Sequence, residues 1–189
     1  MNNKQNTSLV RTSRKIHRKL AVSSFLLFIL ISVTGVLLGW KKHSSDIILP
    51  HSFEGTSTNT GEWLSFDSLK TVAFNTLRDS IGLGLSTELE RIDARPSKGM
   101  VKFVFLNHYW EVQLDAATAG VLSVAKRRSD FIENIHDGSI LDYIFKTRDG
   151  FFKVIYTSIL GLLLLSFTIT GFWLWYGPRK IKKNKRKKV

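Results

Sequence analysis

The sequence predicts an α+β membrane protein: two transmembrane helices flank an extracytoplasmic domain made of one helix and an antiparallel sheet. Three observations predict it. Two long runs near the chain ends carry no charge, Leu20–Trp40 and Val154–Tyr176. Each has a dense block of Lys and Arg on its outer side. The stretch between them holds short segments that alternate apolar and polar residues, as half-buried strands do.

Leu20–Trp40 has 21 residues, about 31 Å of helix, which spans the hydrocarbon core. A basic segment precedes it, as in a signal peptide. The apolar run is longer than a signal peptide needs, and no A-x-A cleavage pattern follows. Gly39-Trp40-Lys41-Lys42 closes it with an interfacial aromatic and two cations. The reading is an uncleaved signal anchor. Val154–Tyr176 is the second run, with Trp173, Trp175 and Tyr176 as an aromatic belt. Gly177-Pro178 is expected to stop its helix.

The formal net charge is +13, and its placement matters more than its size. Residues 1–19 hold six basic residues and no acid, and residues 177–189 hold eight and none. Between them 14 basic residues face 15 acidic ones. Basic blocks beside apolar runs are a topology signal. They predict that both termini are cytoplasmic and that residues 41–153 are translocated. They also predict contact with the lipid bilayer, with anionic lipid headgroups at both termini. This accounts for the charge with no nucleic acid partner. The absence of cysteine excludes disulfides, thiolate metal sites and covalently attached haem.

The expected organisation is a basic tail (1–19), a first span (20–40), a linker (41–64), a folded domain (65–126), an interfacial segment (127–153), a second span (154–176) and a second basic tail (177–189). Residues 51–62 are rich in Ser, Thr, Gly and Asn and read as coil. Phe66, Leu69, Ala73 and Leu77 recur at helical spacing after Ser65, a candidate N-cap. Strands are expected at 88–94, 100–106, 108–114 and 121–125, with a tight turn at Asn107-His108. In the third, Trp110, Val112 and Leu114 alternate with Tyr109, Glu111 and Gln113, the period of a strand. Residues 129–146 are too polar to span and read as an interfacial segment.

One internal echo stands out. Ser32-Val33-Thr34-Gly35 in the first run matches Thr168-Ile169-Thr170-Gly171 in the second. The spans are antiparallel, so the two Thr-Gly pairs lie at opposite faces and cannot meet. Each reads as a small-residue packing site. Gly35 and Gly39 also form a G-x-x-x-G, open to two readings: packing of the spans on each other, or a homodimer contact.

These residues resemble the PepSY-associated transmembrane helix family in four places. Arg14-Lys15-Ile16-His17-Arg18-Lys19-Leu20 is similar to its R-x-x-H-R-x-L entry to the first span. Val112-Gln113-Leu114-Asp115-Ala116-Ala117-Thr118 is similar to the strand and D-x-x-T-G turn of a PepSY domain, with Ala119 where that turn usually has Gly. Ile135-His136-Asp137-Gly138 is similar to its I/L-H-x-G segment, and Thr170-Gly171-Phe172-Trp173-Leu174-Trp175 to its T-G-x-x-L-W ending.

The resemblance implies a bacterial inner-membrane protein with a PepSY-like domain in the periplasm. It implies a binding or regulatory module, non-enzymatic, accessory to iron or siderophore uptake and meeting a protein partner. Larger members have four or more spans, and some resemble haem-containing ferric–siderophore reductases. The alternative is therefore a b-type haem electron-transfer subunit, with His17, His43 and His136 as the candidate ligands. Neither apolar run contains a histidine. His17 and His136 sit at opposite faces, about 30 Å apart, and cannot share one iron. His43 and His136 fall on the same side, and Asp137 is a candidate partner for the His136 ring. No G-x-S-x-G, H-E-x-x-H or P-loop pattern occurs.

Overall fold

The computed structural model describes residues 3–147 and 149–186. Arg148 and the outermost tail residues, with Lys187 and Lys188, lie outside the described residues, as do the side chains of Lys4 and Lys185. The chain forms two compact units. One joins the N-terminal 35 residues to those from Asn134 onward, and the other is Val36–Glu133.

The first unit is built on two long helices, α1 (Asn3–Gly39) and α5 (Phe151–Arg186). Both are long and apolar enough to cross a membrane. Only 11% and 6% of their most apolar windows is buried, so Leu, Ile and Phe side chains face outward along both. Such an area is not tolerated in water, and lipid is its natural solvent. At 37 and 36 residues, each helix is about 55 Å long and outruns the hydrocarbon core. The basic blocks continue the helices because Lys and Arg are good helix formers.

Gly177-Pro178 does not end the second helix: Pro178 lies inside α5. Two cation–π contacts straddle it, Arg179 over Trp175 at 4.1 Å and Lys180 over Tyr176 at 5.9 Å. Both join residues four apart and offset part of the lost backbone bond. A side chain at Gly177 would collide with Val10 of α1, so glycine sets a close approach there.

The second unit contains α2 (Phe66–Ser80) and an antiparallel sheet in the order β1 (Leu89–Arg95), β2 (Met100–Phe105), β3 (Trp110–Asp115), β4 (Val121–Lys126). Ser65 caps α2, its hydroxyl accepting from Ser68 N at 3.2 Å. Leu69, Ala73 and Leu77 then bury against Val101, Phe103, Phe105, Val112 and Leu114. The register pairs Phe103 with Val112 and Val101 with Leu114, so these share the helix-facing side. Lys102 opposite Gln113 and Val104 opposite Glu111 therefore share the other side.

That other side is not solvated. Glu111 and Gln113 are fully buried and Lys102 is 2% exposed. Part of the expected linker lies across it. Gln113 accepts from Phe53 N at 3.2 Å and donates to His51 O at 2.7 Å, and Asp115 accepts from Thr56 N at 3.0 Å. Gly55 N donates to Lys98 O at 2.8 Å, and a side chain at Gly55 would collide with the Gly99 backbone. The low-complexity look of 51–57 therefore reflects a strap that must press on the sheet with its backbone.

The β3–β4 turn forms with alanine in the place of its glycine. Asp115 accepts from Ala117 N at 2.9 Å, Ala119 N donates to Asp115 O at 2.9 Å, and Ala119 takes the left-handed φ of 59°. Burial alone would push the Asp115 carboxyl up, but the bonds from Ala117, Thr56 and Thr118 hold it below the ordinary value. An L-residue in that region costs about 1–2 kcal/mol, part of which glycine returns as backbone entropy. Ala119→Gly should therefore stabilise the domain by roughly 0.5–1 kcal/mol. Slower hydrogen exchange in β3 and β4 would show it, and faster exchange would contradict it.

Residues 127–153 contain α3 (Arg128–His136) and α4 (Ser139–Phe145). The boundary between the units falls inside α3.

Candidate functional site

In the two-helix unit, each Thr-Gly pair receives a histidine from the opposite end of the chain. His17 on α1 lies 2.8 Å from Thr170 Oγ1 on α5. His136, the last residue of α3, lies 2.8 Å from Thr34 Oγ1 on α1. In both cases the ring atom is Nδ1. Thr34 and Thr170 are 6% and 7% exposed. The adjacent glycines make room: a Cβ at Gly35 would stand 3.4 Å from His136 Cε1, and one at Gly171 would stand 3.9 Å from His17 Cε1. The echo in the sequence is thus a pair of equivalent clasps, one at each end of the hairpin.

The hydroxyls fix the histidine tautomer. Thr34 Oγ1 is 2.7 Å from Leu30 O, and Thr170 Oγ1 is 2.6 Å from Ser166 O. Two oxygens that close need a proton between them, and threonine has one to give. The hydroxyl then only accepts from the ring, so Nδ1–H is the donor at both clasps. Nε2 is the nitrogen not used by threonine. Replacing threonine with valine keeps the shape and removes the acceptor. A double-mutant cycle on Thr34→Val and His136→Ala should give a coupling of about 0.5–1.5 kcal/mol. The Thr170→Val and His17→Ala cycle should give a similar value. Unfolding in detergent measures both, and zero coupling at both ends would refute the clasp.

Within the two-helix unit, His17 and His136 do not come together. His17 and His136 engage α1 and α5 at points separated by 17 residues of α1, about 25 Å. His43 is exposed in a single 3-10 turn of the other unit. The hairpin therefore supplies one imidazole at each end. Among the described residues no cluster of three or more His, Asp or Glu could hold a metal ion. A Cβ at Gly35 would touch the His136 ring, and among the described residues one at Gly39 would meet nothing within 4 Å.

Asp137 does not serve the His136 ring. Its carboxylate takes Lys153 Nζ at 2.5 Å and Ser139 N at 3.0 Å. Burial pushes it up, and these partners outweigh that and hold it below the usual carboxylate value. Gly138 has φ of 80°, with its α-carbon beneath Tyr156 of α5. Asp142 then caps α5, which no sequence pattern signalled. It accepts from Phe152 N at 2.9 Å, Lys153 N at 2.8 Å and the Thr147 hydroxyl. A carboxylate there meets the unpaired N–H groups and the positive end of the helix dipole.

In the sheet unit the buried side carries a connected charge network. Glu111 accepts from Gln113 at 2.6 Å and Arg127 at 2.6 Å, with Lys102 at 3.5 Å. Arg127 also reaches Asp130 at 2.8 Å, and Arg91 reaches Asp130 at 2.9 Å. Burial pushes the Asp130 carboxyl up, but Arg127, Ser129 and Arg91 hold it below its ordinary value. Burial pushes Lys102 down, against the attraction of Glu111. Arg127 is held charged by its two carboxylates despite its burial.

Beside this network a cleft of about 580 Å³ opens at the β2–β3 turn. Asn107, His108 and Tyr109 of the turn line it, together with Lys126, Arg127, Arg128 and Phe131. Asn107 and Tyr109 both have positive φ, 74° and 59°. Asparagine tolerates this conformation, and the tyrosine is held there by the turn.

Comparison with curated proteins gave no match, and comparison with solved structures gave none. The family model described as the PepSY-associated TM region matches residues 10–189. That range takes in both apolar helices, both clasps and the sheet between them. The chain belongs to the PepSY-associated TM region family.

Proposed function

We propose that this chain is a membrane-anchored binding or regulatory module, non-enzymatic, whose PepSY-like domain meets a partner outside the cytoplasmic membrane. Both termini lie in the cytoplasm, with the basic blocks against anionic headgroups. One observation carries the reading. The two central strands are covered on both faces by their own chain, and Glu111, Asp115 and Asp130 are each taken up by donors. What the domain presents outward is a shaped cleft at one end. Such a surface is built to bind rather than to transform. The setting in iron or siderophore uptake rests on the family resemblance.

The test has two arms. A reporter active only outside the cytoplasm should work when inserted at Thr58 and fail when fused after the last residue. A photo-crosslinker at Phe131 should trap one defined protein in cells, and Lys126→Glu should abolish that product. An active terminal fusion, or crosslinking indifferent to Lys126, would sink the reading.

A second reading is a b-type haem electron-transfer subunit. The clasp geometry favours it, because the Nδ1 contact with threonine orients the ring and leaves Nε2 as the nitrogen not engaged by threonine. Its second axial ligand would have to come from another copy or another protein. A visible spectrum of protein from haem-replete cells decides it. A Soret band lost in His136→Ala would favour this reading, and no band would remove it.

A further inference from the structure

We propose that the cleft at the β2–β3 turn binds a small organic anion with a flat apolar body. The proposal rests on the module reading above and names the ligand class of its domain. Three consecutive cations, Lys126, Arg127 and Arg128, line the cleft, but they are not equivalent. Arg127 turns back under the sheet, where Glu111 and Asp130 neutralise it. Lys126 and Arg128 are exposed at the rim. Among the described residues neither is in an ion pair, and Arg128 makes only a bond to Ile47 O at 3.1 Å. No carboxylate lines the cleft.

The rim therefore keeps two positive charges that the fold does not use. The wall supplies the apolar complement. Tyr109 and Phe131 meet edge to face at 5.8 Å, and Phe131 is 44% exposed. His108 closes the far side with its ring already bonded to Ser86 O at 2.9 Å. A volume of about 580 Å³ is in the range of cavities that enclose drug-sized molecules. Two cations above an aromatic wall select for a carboxylate or phosphate on a planar body, through charge pairing and ring stacking together.

The experiment uses the full chain in uncharged detergent, titrated with naphthalene-2,6-dicarboxylate and read by the ligand's fluorescence anisotropy. Saturable binding is expected, weakening as salt is added. The double variant Lys126→Glu, Arg128→Glu should lose roughly tenfold or more in affinity. Phe131→Ala should weaken it as well, and Lys70→Glu on α2 should leave it unchanged. All four positions are solvent-accessible, so circular dichroism should show an unaltered fold. 2-Naphthamide and inorganic phosphate, each with one of the two features, should compete poorly. Absent saturation, or binding indifferent to the double variant, would overturn the proposal. So would a hepta-glutamate peptide that displaces the dicarboxylate at lower concentration, since it would assign the cleft to an acidic segment. The reporter arm of the module test does not involve the cleft, so a failure here and a failure of that reading are distinguishable.

Discussion

Glu111→Ala is expected to destabilise the sheet domain by about 3–5 kcal/mol. Glu111 is fully buried and joins Lys102, Gln113 and Arg127 on one carboxylate. Removing it leaves two cations inside the domain with one fewer countercharge, and Lys102 loses its only anionic partner in the network. Breaking a buried pair from one side is the costly case, because the remaining charge has neither water nor partner. Lys102→Met is the contrasting case. It removes a charge that burial already disfavours and leaves Glu111 bonded to Gln113 and Arg127. Its effect should stay within about 1.5 kcal/mol, of either sign. Hydrogen exchange of the β2 and β3 amides reads both. Equal losses for the two variants would mean that the network is not organised around Glu111.

That network also marks where the sequence stopped being legible. Helix α2 was readable because its cap, period and core face are local: Ser65, then Leu69, Ala73 and Leu77. The strands were readable from alternation, to within a residue or two. Alternation alone does not say that the polar set, Glu111 and Gln113, is buried as well. Their burial depends on a strap some 60 residues earlier and on Arg127 some 16 residues later. No local pattern carries that information. The strap itself looked like linker because close backbone contact requires Gly55, and turns favour Ser and Thr.

The hairpin shows the same division. The sequence displayed both Thr-Gly pairs and both histidines, but not that they meet. Which helix face each occupies was not readable, so a double interlock looked like two unrelated packing sites. Pro178 was misread because the cation–π contacts that carry α5 across it lie four residues apart on a face the proline does not reveal.

The I-H-x-G segment leads to the second large effect, Gly138→Ala. His136 secures the first helix, Asp137 secures Lys153, and Gly138 lets the chain pass under Tyr156. At φ of 80° an alanine is already strained, by about 1–2 kcal/mol. Its Cβ would stand 2.6, 2.7 and 2.9 Å from three carbons of Tyr156, the last being that residue's own Cβ. Overpacking of this kind adds about 1–3 kcal/mol, for roughly 2–5 kcal/mol in all. The turn would have to move, and with it the register in which His136 meets Thr34. The expected result is a hairpin that unfolds at lower denaturant in detergent, with the Thr34–His136 coupling energy lost in the same background. Adding Tyr156→Ala removes the two ring contacts but not the strained φ, so it should restore part of the stability and the coupling. Full tolerance of Gly138→Ala, or a Tyr156→Ala change that adds its own cost without any rescue, would show that glycine is not required there by this contact.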